Sequence, residues 1–329
     1  MSEPVNVTVT RESFPTRGVF TIARGSRTQA DVLTVRLDSG NSTGMGECVP
    51  YARYGETMDS VAAQIREIEP ELRQGLDRIA LQQLMPAGAA RNAVDCALWD
   101  LESKISGKPV WQLAALPEPG PVITAFTLSL DEPDAMQASA QANSHRPLLK
   151  VKLGGENDLD RLQAVRLGAP DSQLIVDANE GWNAADYEAL APIMLSLGVA
   201  LVEQPLPADD DAPLAQLHRP LPVCADEACH DRQGLESLRG KYDVVNIKLD
   251  KTGGLTEALA LRAAALEAGF DIMVGCMVGS SLAMAPALLV AQGAQFADLD
   301  GPLLLERDRT TPMQYEGSLM HPASRKLWG

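Results

Sequence analysis

The first third of the chain alternates between strand-like and helix-like patterns of apolar residues. Apolar and polar side chains alternate along residues 31–40 before a turn, which predicts a half-buried strand. Two helices are predicted after it, each with its apolar residues on one face: Val61, Ile65, Ile68 and Leu72, then Val94, Leu98 and Leu101. Strands followed by helices indicate a small α+β domain, and the Pro- and Gly-rich segment 116–121 marks its end. We therefore predict an N-terminal α+β domain over residues 1–118.

A different pattern begins after this linker. Eight short apolar runs alternate with amphipathic stretches: VITAFTLSL, LLKVKLG, LIVDANE, ALVEQPL, LPVCADE, VVNIKLD, DIMVGCM and FADLD. The runs are rich in Val, Ile and Leu, as parallel strands buried on both faces should be. Eight such units predict an α/β barrel over residues 119–301. A turn-rich stretch follows the last run, so we expect a (β/α)7β modified TIM barrel whose tail, residues 302–329, returns to the N-terminal domain and completes it.

Charged residues stand at the carboxyl ends of the predicted strands. In chain order they are Lys150, Lys152, Asp177, Glu203, Asp226, Lys248, Asp298 and Asp300. From Lys152 to Lys248, the members on successive strands are 22 to 26 residues apart, about one βα unit each. The chemistry of such barrels takes place at the carboxyl ends of the strands, so we predict that these side chains meet at one level in one site.

Three acidic residues on neighbouring strands, Asp177, Glu203 and Asp226, are a candidate metal site. Converging carboxylates in a partly dry site repel one another unless a cation joins them. Ligation by oxygen alone suits Mg²⁺ better than Zn²⁺, so we predict one Mg²⁺ per subunit. Two alternatives stay open. The acids could cap the helices that follow them, or a zinc ion could be held by Cys224, Cys229 and His230.

Paired lysines on the second strand are unusual, because lysine is rarely buried without a partner. Lys150 and Lys152 are two residues apart and point to the same face. Lys152 and Lys248 lie on the second and sixth strands, so we expect them to face each other across the barrel mouth. Neighbouring cations and partial burial should lower the pKa of such a lysine toward neutral pH and make it a general base.

A base on each side of one carbon atom has a specific consequence. One lysine removes a proton next to a carboxylate, the other returns a proton to the opposite face, and a divalent cation stabilises the enediolate between the two steps. The predicted outcome is racemisation or epimerisation. The alternative is that the lysines only pair with the carboxylates, or that one of them binds phosphate.

Composition narrows the remaining classes of function. The net charge of −16 argues against a nucleic-acid partner and against binding to an anionic membrane. Five cysteines do not suggest a disulfide framework, and the N-terminus lacks the pattern of a signal peptide, so we predict a cytoplasmic protein with reduced thiols. Glycines, a proline and glutamines interrupt the uncharged segment 273–297, which favours a buried strand, loop and helix over a membrane span.

Two short fragments resemble parts of phosphate-binding loops, namely SGKP at 106–109 and KTGG at 251–254. Neither has the full GxxxxGK[ST] spacing. We expect Gly253 and Gly254 to form a tight turn between a strand and a helix rather than a phosphate cradle.

Five motifs spread over nearly the whole chain carry a family resemblance: KVK, VDANEGW, LVEQPLP, ADEACH and VVNIKLDKTGG. With these motifs the chain resembles the enolase superfamily, muconate-lactonizing subgroup, in which lysine bases act with Mg²⁺. The resemblance implies Asp177, Glu203 and Asp226 as Mg²⁺ ligands and Lys152 and Lys248 as the two bases. It also implies that Lys150 helps to bind the substrate carboxylate and tunes its neighbour.

Within the subgroup, the chain is most similar to dipeptide epimerases acting on L-Ala-D/L-Glu, a dipeptide of peptidoglycan turnover. FADLDGP resembles the family's Asp-x-Asp, which implies that Asp298 and Asp300 hold the ammonium of the dipeptide. IARGSR lies in the family's mobile cap loop, which implies that Arg24 meets the glutamate side-chain carboxylate and that the N-terminal domain is a capping domain. Side chains near the seventh strand are expected close to the substrate without an assigned role: Cys276, Met277 and Ser280.

Other activities remain open at this point. Epimerases of other dipeptides, N-acylamino-acid racemases, o-succinylbenzoate synthases and muconate cycloisomerases would share the same lysines and metal ligands. A metal-independent enzyme that forms a Schiff base through Lys152 or Lys248, or a barrel that only binds peptide, would belong to a different class. The sequence leaves homo-oligomerisation open.

Overall fold

An antiparallel sheet and the helices packed on it form the first part of the molecule. The computed structural model describes residues 5–329. The three strands of the sheet pair in chain order: β1 (Asn6–Ile22), β2 (Gly25–Ser39) and β3 (Ser42–Cys48). Five helices follow: α1 (Met58–Glu67), α2 (Glu69–Arg73), α3 (Arg78–Leu84), α4 (Ala89–Ser106) and α5 (Val110–Leu113). We call residues 5–114 the cap.

Contact between α4 and β3 builds the core of the cap. A Cβ atom on Gly46 would lie 2.1 Å from the carbonyl oxygen of Ala93, so only glycine permits this approach of strand and helix. Buried side chains of α1, α4 and β2 fill the space between the layers: Leu33, Val35, Leu37, Val61, Ile65, Val94 and Leu101. The cap therefore has its own apolar core.

Parallel strands form the second part of the molecule. The short strand β4 (Val122–Ile123) precedes an eight-stranded sheet paired in chain order: β5 (Phe126–Leu128), β6 (Leu148–Lys152), β7 (Gln173–Asp177), β8 (Val199–Glu203), β9 (Val223–Ala225), β10 (Val244–Ile247), β11 (Asp271–Gly275) and β12 (Phe296–Asp298). A parallel bridge between Thr124 and Ala297 joins the two ends of the sheet. The predicted barrel is thus confirmed.

Helices connect most of the barrel strands on the outside. They are α6 (Pro133–Ala142), α7 (Asp158–Gly168), α8 (Ala184–Ser196), α9 (Leu249–Thr252), α10 (Leu255–Glu267) and α11 (Ser281–Ala291). Short 3₁₀ turns, residues 212–215 and 232–238, replace an α-helix in the connections on either side of β9. No α-helix follows β12 in the described chain, as expected for a (β/α)7β barrel.

One buried side chain from each strand, or from just beside it, fills the barrel interior below the carboxyl ends. These residues are Ala125, Leu148, Ile175, Leu201, Cys224, Val244, Met273 and Phe296. They make the barrel a packed core rather than a pore, so chemistry is confined to its upper rim.

The C-terminal residues contact both the barrel and the cap. Strand β13 (Tyr315–Glu316) pairs with β14 (Leu319–Met320), and β14 pairs with β4 at the barrel. Leu305 bridges Thr16 of β1, and Arg309 lies 2.6 Å from the buried carboxylate of Glu47. The indole N–H of Trp328 donates to the carbonyl oxygen of Cys96 in α4. The boundaries near 118 and 301 stay predictions, but the tail does reach the cap.

Two predicted elements differ in the structure. The helix expected around residues 60–73 is two helices, because the chain turns at Ile68 and Pro70 opens α2 without a backbone N–H. The run VITAFTLSL divides into β4 and β5, which belong to different sheets. In both places the pattern of apolar residues continues through a point at which the chain changes direction, so the pattern does not reveal the break.

The segment 273–297 folds as expected, into the end of β11, a loop and the buried helix α11. In the part of the chain that the structure covers, no helix combines the length and the apolar character that crossing a membrane would require. All five cysteines are free thiols.

Candidate active site

The charged side chains predicted at the strand ends converge on one cavity between the cap and the barrel rim. Seven of the nine predicted site residues line it: Arg24, Lys150, Lys152, Asp226, Lys248, Asp298 and Asp300. The other two, Asp177 and Glu203, lie fully buried just behind its wall. The structure therefore brings the predicted set together.

Strand register explains the convergence of the acids. Lys152 pairs with Asp177, and Asp177 pairs with Glu203, so these three residues lie at one level as predicted. Glu203 pairs with Cys224, however, so Asp226 lies two residues beyond that level. One oxygen atom from each carboxylate still lies within 4.8 Å of the others.

Each lysine in the site is held by carboxylates. Lys152 Nζ lies 2.6 Å from Asp177 Oδ2, and Lys248 Nζ lies 2.6 Å from Asp226 Oδ2. Lys150 Nζ is more enclosed and contacts three acids, at 2.7 Å from Glu203, 2.8 Å from Asp298 and 3.1 Å from Asp177. Lys150 therefore joins the acidic group to the eighth strand instead of pointing freely into the cavity.

The pKa values of Lys150 and Lys248 shift in the direction opposite to the expectation. Burial alone lowers the pKa of Lys248, but the carboxylates of Asp226 and Glu203 outweigh it and hold this pKa well above its usual value. The pKa of Lys150 is raised in the same way by Asp298, Glu203 and Asp177 against the effect of burial. The expectation considered neighbouring cations and burial, but the nearest charges are anions.

The pKa values of the three carboxylates shift in different directions. Burial and the neighbouring Asp177 raise the pKa of Glu203 to about 8. Burial acts in the same sense on Asp177 and Asp226, but the ammonium groups of the lysines outweigh it and hold both pKa values below their usual range. Glu203 is thus the one of the three carboxylates whose charge the lysines do not compensate, and a bound cation would supply the missing positive charge.

Asp298 and Asp300 form a second acidic pair at the eighth strand. Asp300 Oδ2 accepts a 2.6 Å hydrogen bond from the backbone N–H of Thr127, which fixes its orientation. Burial and the charge of Asp298 raise the pKa of Asp300 to about 7. A cationic group entering the cavity would relieve the repulsion between these two carboxylates.

Arg24 reaches the cavity from the turn between β1 and β2. Its Nη1 donates to the carbonyl oxygen of Asn179 at 2.8 Å and to Glu180 at 3.2 Å, and its Nη2 donates to Tyr51 at 3.0 Å and to Glu227 at 2.7 Å. Four donated hydrogen bonds engage both Nη atoms, so an incoming carboxylate must use Nε or displace one of these four partners.

Of the three side chains expected near the substrate after β11, the seventh barrel strand, two lie at the cavity and one does not. Cys276 and Met277 line the cavity, as expected. Ser280 does not: its hydroxyl caps α11 by accepting from Leu282 N–H, and it donates to the buried Glu47. Its surroundings indicate a structural role.

Sequence reasoning missed four polar residues that contact the predicted set. Glu227 and Tyr51 hold Arg24, Asn246 donates to Glu203 at 2.8 Å, and Lys251 contacts Asp226 at 2.6 Å. Asn246 precedes Lys248 by two residues, so strand alternation could have placed both on one face. Lys251 carried no such signal, because it lies beyond the strand, on the short helix α9.

The zinc alternative finds no support, whereas the lysines do form ion pairs with the carboxylates, as the second alternative expected. His230 contacts the carbonyl oxygen of Glu227, and Cys224 and Cys229 are buried, with raised thiol pKa values caused chiefly by burial. Within residues 5–329, the one group of three residues arranged to hold a metal ion is Asp177, Glu203 and Asp226. Three buried carboxylates fit a hard divalent cation such as Mg²⁺.

Comparison with known protein families shows that the chain belongs to the enolase superfamily. The family described as mandelate racemase / muconate lactonizing enzyme, N-terminal domain, matches residues 4–114. The family described as enolase C-terminal domain-like matches residues 135–321. The fold and the lysine–carboxylate arrangement agree with that assignment.

Curated relatives include two enzymes with the same sequence identity to this chain but different named activities. The chain is 48% identical to the L-Ala-D/L-Glu epimerase of Escherichia coli, over 96% of this chain and 99% of that protein. It is also 48% identical to the N-acetyl-D-glutamate racemase of a Pseudoalteromonas species, over 87% of this chain and 91% of that protein.

Solved structures share the fold over the full length. An enolase family member from Agrobacterium tumefaciens with homology to dipeptide epimerases, with bound sodium and L-Ala-L-Glu, is 54% identical, with a TM-score of 0.97 over 99% of this chain and all of that one. A dipeptide epimerase from Enterococcus faecalis, complexed with Mg and L-Leu-L-Tyr, is 29% identical, with a TM-score of 0.89 over 98% of both chains.

Proposed function

We propose that this protein is an isomerase that epimerises the glutamyl α-carbon of L-Ala-D/L-Glu dipeptides with the help of Mg²⁺. The observation that carries the proposal is that Lys152 and Lys248, from opposite strands of the barrel, line one cavity beside three converging carboxylates. The similarity to an L-Ala-D/L-Glu epimerase over nearly the full chain supports the same assignment.

Lys152 and Lys248 act as the two bases. Their strands are four apart in an eight-stranded barrel, so their amines approach a bound carbon atom from opposing sides. The neutral amine on one side takes the α-proton, and the ammonium on the other side returns a proton to the opposite face, which inverts the centre. Asp177, Glu203 and Asp226 would hold the Mg²⁺, which would stabilise negative charge on the substrate carboxylate when bound.

Charged groups of both signs that line the cavity suit a glutamyl dipeptide. Asp298 and Asp300 offer two buried carboxylates to the ammonium of the first residue. Arg24 offers a guanidinium to the side-chain carboxylate of the second residue. Lys150 neutralises part of the acidic group and thereby favours binding of the α-carboxylate nearby. We also propose peptides from cell-wall turnover as the source of substrate and the cytoplasm as the location.

A second candidate is racemisation of N-acetylglutamate, which the other relative at 48% identity supports. The lysines and the metal ligands would serve this reaction equally well. An N-acetyl group carries no positive charge, however, so Asp298 and Asp300 would have no cation to bind. The buried acidic pair therefore favours the dipeptide.

Proton exchange in deuterated water tests the proposal. With Mg²⁺ present, L-Ala-D-Glu and L-Ala-L-Glu should each gain deuterium at the glutamyl α-carbon and interconvert, while N-acetyl-D-glutamate should react at least tenfold more slowly. NMR follows both exchange and inversion. Lys152→Ala and Lys248→Ala should each abolish epimerisation, because either change removes the base on one side.

Two outcomes of that experiment would contradict the proposal. Absence of exchange with either dipeptide in the Mg²⁺-loaded enzyme would overturn it, and faster turnover of N-acetyl-D-glutamate would favour the second candidate. Full activity in EDTA would exclude the metal-assisted route and point instead to Schiff-base chemistry, which borohydride trapping detects.

A further inference from the structure

Lys251 is a buried lysine that the proposed reaction does not use. It lies in the KTGG segment, on α9, and its ammonium group is fully enclosed. The ammonium lies 2.6 Å from Asp226 Oδ1, 2.5 Å from the carbonyl oxygen of Asp226 and 3.0 Å from the carbonyl oxygen of Asn246. An ammonium has three N–H groups, so all its donors are in use. No donor is left for a phosphate.

The two oxygens of Asp226 have different partners. Oδ1 faces Lys251, whose amine has no exposed surface, while Oδ2 faces Lys248, which lines the cavity. The partner of Oδ1 is enclosed, and its contacts with two backbone carbonyl oxygens hold it in place. The partner of Oδ2 can move, because it adjoins the cavity in which substrate would bind.

We infer that Lys251 is a positioning residue that fixes Asp226 through Oδ1 and leaves Oδ2 as the oxygen available to a divalent cation. Contact with the main-chain oxygen of Asp226 fixes the backbone of the same residue. Asn246 plays a parallel part for the neighbouring ligand by donating to Glu203. The inference rests on the proposed metal site and not on the identity of the substrate.

The variant Lys251→Met tests this inference through metal binding. Without the ammonium, Asp226 is free to rotate and its buried charge loses a permanent partner, so the dissociation constant for Mg²⁺ measured by calorimetry should rise at least tenfold. Activity with L-Ala-D-Glu should fall at low Mg²⁺ and recover substantially at high Mg²⁺, with little change in KM. A lysine that served only stability would show no such recovery.

Lys241→Met is the matched control. Lys241 lies 2.5 Å from Asp211 in a partly buried ion pair of the same barrel but does not line the cavity. This variant should lose stability while keeping the affinity of the wild type for Mg²⁺. If Lys251→Met does not fold, Lys251→Gln keeps an N–H donor and should show a smaller rise in the same constant.

The inference would be overturned if Lys251→Met or Lys251→Gln bound Mg²⁺ with an affinity within twofold of the wild type. It would also be overturned if Lys241→Met lost as much affinity for Mg²⁺ as Lys251→Met. Either result leaves the proposed epimerase untouched, provided that the wild type binds Mg²⁺ and is active. Failure of the wild type to bind Mg²⁺ would overturn the metal site and this inference together, while proton exchange by the wild type is measured separately.

Discussion

Lys150 and Lys152 are two residues apart, yet their surroundings differ. Lys150 contacts three acids from three strands, whereas Lys152 contacts Asp177 alone. Strand alternation predicts that they share a face, and that prediction is confirmed by their common cavity. Alternation cannot predict which of them is more deeply enclosed, because that depends on Asp298, a residue nearly 150 positions later.

Sequence patterns identify the strand-end acids because each follows an apolar run at regular spacing. Glu227 and Tyr51, by contrast, matter only through contact with Arg24, and that contact joins three segments distant along the chain. Partners of this kind arise from tertiary packing. They become visible only when the strand ends and the cap are placed together.

Replacing Arg24 with methionine should weaken binding of glutamyl dipeptides. Loss of the guanidinium should raise KM for L-Ala-D-Glu about tenfold or more, equivalent to about 1.4 kcal/mol, with a smaller effect on kcat. Steady-state kinetics at saturating Mg²⁺ measure both constants. Arg53→Met is the control, since Arg53 shares Glu180 with Arg24 but is exposed and lies outside the cavity. Equal KM values in all three proteins would exclude Arg24 as a substrate contact.

The segment from β10 to α10 serves both the site and the contact with the cap. Its strand end carries Lys248, and its turn carries Gly253 and Gly254, which pack against Arg91 and Asp95 of α4. The sequence predicts a tight turn between a strand and a helix, but the short helix α9 follows the strand, and the two glycines lie between α9 and α10. The sequence does not predict that α4 occupies the space beside them.

Alanine at Gly254 should destabilise the protein through this contact. A Cβ atom there would lie 2.5 Å from Cβ of Asp95, and the backbone φ of +111° is unfavourable for other residues. We expect the free energy of unfolding to fall by about 3 kcal/mol in denaturant titrations. Gly18→Ala, at φ +91° with no neighbour within 4 Å, should cost only about 1 kcal/mol. Equal losses would show that backbone conformation alone accounts for the effect.

The sequence predicts the strand order and the closure of the barrel, because buried parallel strands form recognisable apolar runs. Departures occur where that signature is weakest: β9 is three residues long and is flanked by 3₁₀ turns instead of α-helices. The register of β9 against β8, in which Glu203 pairs with Cys224, places Asp226 beyond the level of Asp177 and Glu203.

Acidic groups between the cap and the barrel make stability depend on pH. Asp95 is completely buried and accepts hydrogen bonds from Thr256 and Gln82, and burial raises its pKa to about 6. The folded protein therefore binds this proton more tightly than the unfolded chain does. The resulting stability is present at low pH and is lost as the pH rises from about 4 to about 6.

Asparagine at position 95 should remove that dependence, because it is neutral and keeps an acceptor oxygen for the N–H of Thr256. Relative to the wild type, the Asp95→Asn variant should gain about 3 kcal/mol in free energy of unfolding between pH 4 and pH 7. Urea titrations across this range measure the difference, which cancels the contributions of other groups. Asp209→Asn, at an exposed site, should show no trend. A parallel profile for the two variants would contradict the assignment.

The ion pair between Glu47 and Arg309 affects when the cap can fold during synthesis. This buried carboxylate of the cap is matched by Arg309, which follows it by 262 residues. While a ribosome is still making the barrel, the cap already contains an anion whose counter-charge does not yet exist, and enclosing an unmatched anion is strongly unfavourable. The cap therefore lacks the partner of Glu47 until Arg309 has been made, so we expect the cap and the barrel to complete folding together rather than one after the other.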